Sequence, residues 1–139
     1  RVLLGSSAET VIVNGKEWET GHALSAWCAT LPEYDLRSFA MEFESTADGI
    51  LGAGIPEELA DLAPRVRAIL MLGEPYTSAP KAVLERFADE LPGVPIVGGM
   101  SSGASGPDEN RLFYGDKSVA AGAVAVALLD GPPIRTVVS

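Results

Sequence analysis

The chain is poor in the residues that build covalent or metal-held folds. Among 139 residues it has one cysteine, Cys28, and one histidine, His22. A single cysteine excludes a disulfide within the chain, and one Cys with one His leaves a metal site short of its usual ligands. Positive charge is also scarce: 10 Lys and Arg stand against 19 Asp and Glu, for a net charge of −9. Nucleic acid is therefore not an expected partner, because binding it rests on neutralising phosphates. No apolar run reaches the length of a membrane span, and no basic segment followed by an apolar one marks a signal peptide. The expected location is the cytoplasm, with no membrane contact. Walker A is absent, and no G-x-G-x-x-G follows a strand. No cofactor or metal is expected.

What is present is ordinary globular composition, 47% hydrophobic and 21% charged, enough for one domain with one core. The chain centres on Val94–Gly103. Its β-branched run reads as a buried strand. The strand leads into Gly98-Gly99-Met100 and then Ser101 and Ser102. Glycines there admit close approach to the backbone, and the serines add hydroxyls. A strand that delivers a small polar loop can build a ligand site. A solvated Gly-rich turn explains the same residues equally well.

Taken in order, Val2–Gly5 reads as a strand followed by the small-residue loop Ser6-Ser7-Ala8-Glu9. Val11–Val13 is a short strand closed by Asn14-Gly15, a hairpin signal. Ala23–Thr30 is apolar on both faces and reads as an inner strand. Cys28 within it reads as a small buried hydrophobe. Leu31–Asp35 is a turn, and Leu36–Glu44 alternates as a strand covered on one face does. Ser45–Gly54 reads as a mobile loop, Pro56–Leu62 as a short helix and Arg67–Gly73 as a buried strand. Thr77 or Ser78 can cap a helix that runs to Leu91, with Val83, Leu84, Phe87, Ala88 and Leu91 as its apolar stripe. Arg111–Tyr114, Ala121–Leu129 and Ile134–Val138 read as strands.

The elements recur. Leu3–Ala8 echoes Ile96–Ser101, and Ala23–Ala29 echoes Ala121–Ala127. Leu31 and Leu129 lie 98 positions apart, as do Arg37 and Arg135. A constant offset across a turn and two strands implies an internal pseudo-repeat. The second copy has a strand and a helix, Arg67–Leu91, ahead of its Gly loop. The expectation is a matching strand and helix ahead of Arg1. The repeat also predicts that both small-residue loops reach one end of the sheet and share a pocket.

Gly99-Met100-Ser101-Ser102-Gly103 fits G-x-S-x-G, the nucleophile elbow of α/β-hydrolases, with Ser101 as nucleophile. The context opposes it. Gly106 and Pro107 interrupt the helix that should follow, and His22 lies upstream of the serine. Glu9, Glu17 and Glu19 cluster in the first copy; they suit a ligand ammonium or simply a solvated acidic face. Arg111 suits a ligand carboxylate or a surface salt bridge.

Leu4-Gly5-Ser6-Ser7-Ala8-Glu9, the apolar stretch before Leu31-Pro32, and Val94–Met100 together resemble the FIST N-terminal domain. Arg111–Gly115 and Gly122–Leu128 continue the likeness in the same order. The resemblance implies one FIST N-like domain over 1–139 that lacks its start, with a C-terminal FIST domain as partner in the intact chain and no second domain here. It implies a non-catalytic cytoplasmic sensory domain in signal transduction. Its ligand would be a small molecule, an amino acid or a related metabolite. A protein-interaction module, as in F-box relatives, and a serine hydrolase using Ser101 are the alternatives. The expected fold is α+β, a mixed, largely antiparallel sheet or sheets with helices on the outer face. The candidate ligand-binding residues are Gly5, Ser6, Ser7 and Glu9, then Gly98, Gly99, Met100, Ser101 and Ser102, with Arg111. The family supplies no catalytic residues.

Overall fold

Ala123–Asp130 is small and apolar on both faces, which only a strand flanked and covered on every side can satisfy. A computed structural model describes residues 1–47 and 49–137 and places this segment at the centre. In chain order the strands are β1 (Leu4–Ser6), β2 (Val11–Val13), β3 (Lys16–Trp18), β4 (Tyr34–Thr46), β5 (Gly49–Ala53), β6 (Val66–Gly73), β7 (Ile96–Met100), β8 (Leu112–Tyr114), β9 (Lys117–Val119) and β10 (Ala123–Asp130). Two helices, α1 (Glu58–Asp61) and α2 (Pro80–Glu90), join them, with a 3₁₀ turn at Ala63–Arg65. The main sheet has the order β5-β4-β10-β6-β7. Only β6 and β7 are parallel; the other pairs are antiparallel. A second sheet has the order β1-β8-β9, and β2 pairs with β3. The fold is α+β, as expected.

β10 explains the core. Ala123, Ala125, Ala127 and Leu129 face the helices, where they join Phe39 and Met41 of β4 and Ile69 of β6 in one cluster. Val83, Phe87 and Leu91 come down from α2 and Leu59 from α1. The three alanines leave the space that Phe87 and Met41 fill. On the opposite face Val124 and Val126 are also buried, and β8 crosses there with Leu112 fully buried.

Several expectations change. α2 has a narrower stripe than the sequence suggests, since Leu84 and Ala88 are exposed. Its N-terminus has no side-chain cap. The Thr77 hydroxyl bonds to Glu74 instead, and Ser78 Oγ lies 3.8 Å from Met100 Sδ. The expected loop at Ser45–Gly54 is a hairpin, with β5 paired along β4 from Glu42↔Ala53 to Thr46↔Gly49. β9 was not expected. β7 is an edge strand rather than a buried one, and Val97 is 43% exposed. Ala23–Thr30 forms no strand and is exposed throughout, Cys28 included. A strand exists through its ladder, and among the described residues this segment has no strand partner. Residues 134–137 likewise carry no ladder, and Val138 lies outside the described residues.

β7 shows why its glycines matter. Gly98 is in register with Met71 of β6, and a Cβ there would run into the Met71 carbonyl. At Gly99 a Cβ would meet nothing within 4 Å. The two adjacent glycines therefore separate cleanly. Gly98→Ala should cost about 1–3 kcal/mol or more of stability through overpacking. Gly99→Ala should shift it by less than about 1 kcal/mol. Urea denaturation of the two variants checks the contrast.

Candidate functional site

The parallel strands β6 and β7 both end at the same edge of the main sheet. The crevice beyond the carboxyl ends of parallel strands is where open sheets place ligands. Here β7 leads into Ser101 and β6 into Glu74. The Ser101 N–H bonds to the Gly73 carbonyl at 2.9 Å, extending the ladder by one residue.

The second sheet brings the other loop to this edge. The Ser7 N–H donates to the Arg111 carbonyl at 2.7 Å, and the Arg111 N–H donates to Ser7 Oγ at 3.0 Å. The two loops then lock together. The Ser102 N–H reaches the Ser7 carbonyl at 3.4 Å, and the Glu9 N–H donates to Ser102 Oγ at 3.0 Å. Tyr76 adds a latch, its hydroxyl donating to the Ala104 carbonyl at 3.1 Å. The two small-residue loops, more than 90 residues apart in sequence, therefore meet. Between them lies an open pocket of about 370 Å³ lined by Ser7, Ala8, Glu9, Ser102, Gly103, Ala104, Glu109 and Asn110.

Beneath the pocket is a fully buried carboxylate. Glu74 is 0% exposed, and Asn110 beside it is 1% exposed. Asn110 Nδ2 donates to Glu74 Oε1 at 3.0 Å. Glu74 Oε2 accepts from the N–H groups of Tyr76 and Thr77, both at 2.9 Å, and from Thr77 Oγ1 at 2.8 Å. Burial alone would push this carboxyl up. The hydrogen bonds from Asn110, from the Thr77 hydroxyl and from the two N–H groups outweigh it and hold Glu74 below its ordinary value. The network continues on both sides. Ser7 Oγ donates to Asn110 Oδ1 at 3.2 Å, and the Gly122 N–H donates to Thr77 Oγ1 at 2.8 Å. One carboxylate thus ties the exits of β1 and β6 to the starts of β8 and β10.

The residues singled out in the sequence divide. Ser7, Glu9 and Ser102 line the pocket. Gly5 and Ser6 lie in β1, and Gly98, Gly99 and Met100 lie in β7, so these are strand residues leading to the pocket rather than its lining. The guanidinium of Arg111 is engaged locally, donating to the carbonyls of Asp108 and Asn110 at 2.6 and 2.7 Å. Glu17 and Glu19 do not line the pocket with Glu9. Ser101 is 3% exposed, and its hydroxyl donates to the Gly73 carbonyl at 3.2 Å. His22 is exposed and makes no hydrogen bond to Ser101 among the described residues. No helix follows Ser101 before β8. These features are the reverse of an elbow, which presents an exposed serine to a base. Among the described residues no group of three His, Cys, Asp or Glu side chains converges as metal ligands would.

Glu74 and Thr77 are absent from the sequence-based set. Their signal is readable in retrospect: an acid directly after a buried strand, followed within three residues by a hydroxyl and two N–H donors.

Residues 1–139 match the FIST N domain family, and the chain belongs to it. FIST N domains form a sensory-domain family associated with small-ligand binding. An uncharacterized protein of Mycobacterium tuberculosis is 29% identical over 128 residues, covering 91% of this chain and 31% of that protein. An uncharacterized protein of Mycobacterium bovis is 29% identical over 136 residues, covering 95% of this chain and 33% of that protein. The chain therefore spans about a third of the length of these curated relatives. No solved structure matches. Among the described residues no helix is long and apolar enough to cross a membrane.

The buried carboxylate makes stability depend on pH with a definite sign. Its folded pKa lies below the ordinary 4.5, so its contribution is complete above pH 4.5 and is lost as pH falls through the folded value. Glu74→Gln should be less stable than the parent at pH 7 by about 2–4 kcal/mol, since charged hydrogen bonds weaken and the amide brings an unmatched donor. The gap should narrow steadily below pH 4.5. Urea denaturation of both proteins across that range measures it.

Proposed function

We propose that this domain is a non-catalytic cytoplasmic sensor of a small ligand, an amino acid or a related metabolite, held in the pocket between the Ser7–Glu9 and Ser102–Ala104 loops. The observation that carries the reading is the mutual locking of these loops, Ser102 N–H to the Ser7 carbonyl and Glu9 N–H to Ser102 Oγ, around an open polar pocket. A pocket of that size suits a molecule of amino-acid dimensions. Glu9 and Glu109 supply negative charge in its lining, while Ser7 and Ser102 supply hydroxyl groups. The charge fits an ammonium group, and the neutral groups fit the polar remainder of such a ligand.

Ligand contact with both loops would reinforce the hydrogen bonds that already join the two sheets there. A signal would then be a change in how firmly the sheets are joined. Membership of a small-ligand sensory family supports the same reading. The engaged hydroxyl of Ser101 removes the main support for a hydrolase.

Thermal-shift screening of the full chain against free amino acids and small amines tests this. A ligand at 100 times its Kd should stabilise the protein by about 2.7 kcal/mol. Ala8→Phe, which fills the pocket from its rim, should abolish the shift while leaving the unliganded melting temperature within a few degrees. A shift that survives Ala8→Phe and Glu9→Gln would move the site elsewhere.

A further inference from the structure

β4 outruns its neighbour. Its ladder with β10 ends at Met41↔Ala123, yet β4 continues to Thr46 with β5 alongside. Gly122 explains why β10 stops there. Its φ of 76° turns the chain away, and a Cβ on it would run into the Met41 carbonyl. Alternate residues of a strand turn their N–H and C=O groups to opposite neighbours. Over residues 42–45 the groups on the β10 side therefore face no strand among the described residues.

This unpaired edge opens into a cleft of about 430 Å³, distinct from the pocket between the two small-residue loops. Met41, Glu42 and Phe43 of β4 line one side of it, Thr77 just past β6 lines another, and Gly122 lies where β10 begins. In the main sheet β10 runs between β4 and β6. The cleft thus occupies the space that β10 would fill if it extended back past Ala123. Its chemistry selects what can enter. Side chains of a strand alternate between its faces. Phe43 follows Phe39 and Met41 on the helix-facing side and packs against the core. Glu42 and Glu44 stand on the opposite face and are exposed. The outer strands of the sheet, β5 and β7, contain no charged residue.

We propose that this edge of β4 is a docking site for an extended cationic peptide segment of a partner protein, which adds a strand to the main sheet where β10 leaves off. Backbone hydrogen bonds to residues 42–45 hold the segment, as in other cases of strand addition to an open edge. Its basic side chains stand two positions apart, opposite Glu42 and Glu44, and an apolar residue between them meets Phe43. Opposite charges directly across a strand pair attract. The chain's net charge of −9 draws a cationic segment in and opposes a second copy of the same chain.

A capped hexapeptide of alternating arginine and valine, titrated calorimetrically onto the full chain, tests this, with hydrogen exchange to map where it binds. The peptide should bind and slow amide exchange within residues 42–45. Its affinity should fall about tenfold in the double variant Glu42→Lys, Glu44→Lys, which reverses two exposed charges and leaves the core intact. A counterpart N-methylated at every backbone amide keeps its charges but cannot donate to the edge, and it should bind at least about tenfold more weakly. Binding that survives either change, protection that appears at β5 or β7 instead, or no binding at millimolar peptide would overturn the proposal. Displacement of the peptide by an equal concentration of free arginine would also overturn it, by making the cleft a site for a small cation. Self-association of the chain that the peptide relieves would overturn it in favour of a second copy.

Discussion

A carboxylate buried without a cation is the constraint on which the upper edge of this fold depends. Among the described residues Glu74 has no Lys or Arg hydrogen-bond partner, and four donors satisfy it in the interior. Each donor comes with an obligation. Thr77 must fold back, so its hydroxyl is not free to cap α2. Asn110 must turn inward, and its amide oxygen is then matched by Ser7. The result fixes four chain segments about one side chain. The pocket above them is a product of that arrangement, not of any loop sequence taken alone.

Packing supplies the base on which the network stands. The alanines of β10 bring α2 close to the sheet, and Phe87 fills the space they leave. Gly98 lets the β7 backbone approach Met71. Both effects hold β6 and β7 parallel and in register, so that their ends deliver Glu74 and Ser101 side by side. Strand register and the polar network thus meet at the same edge of the molecule.

Much of this was legible in the residues. β6, α2, β8 and β10 announce themselves by long apolar runs or helical spacing, and Asn14-Gly15 by its turn chemistry. The meeting of the two small-residue loops was legible from the repeat. Three kinds of feature were not. The β4–β5 hairpin hides in glycine-rich sequence whose pairing depends on a partner strand. The hub at Glu74 is completed by Asn110, 36 positions along the chain, which no local signal connects to it. Ala23–Thr30 has the composition of an inner strand and lies exposed, because composition states what a segment can join and not whether the neighbour is there. Gly98 was noted as a point of close approach; the approaching group proved to be the β6 backbone.

The central claim is that one buried carboxylate holds both loops in place. Hydrogen exchange by mass spectrometry at pH 7, comparing the full chain with its Glu74→Gln variant, tests it most directly. The account predicts that peptides covering residues 6–10 and 101–105 lose protection together, although they lie about 95 positions apart in sequence. Loss confined to residues 75–78, with both loops exchanging as before, would contradict it.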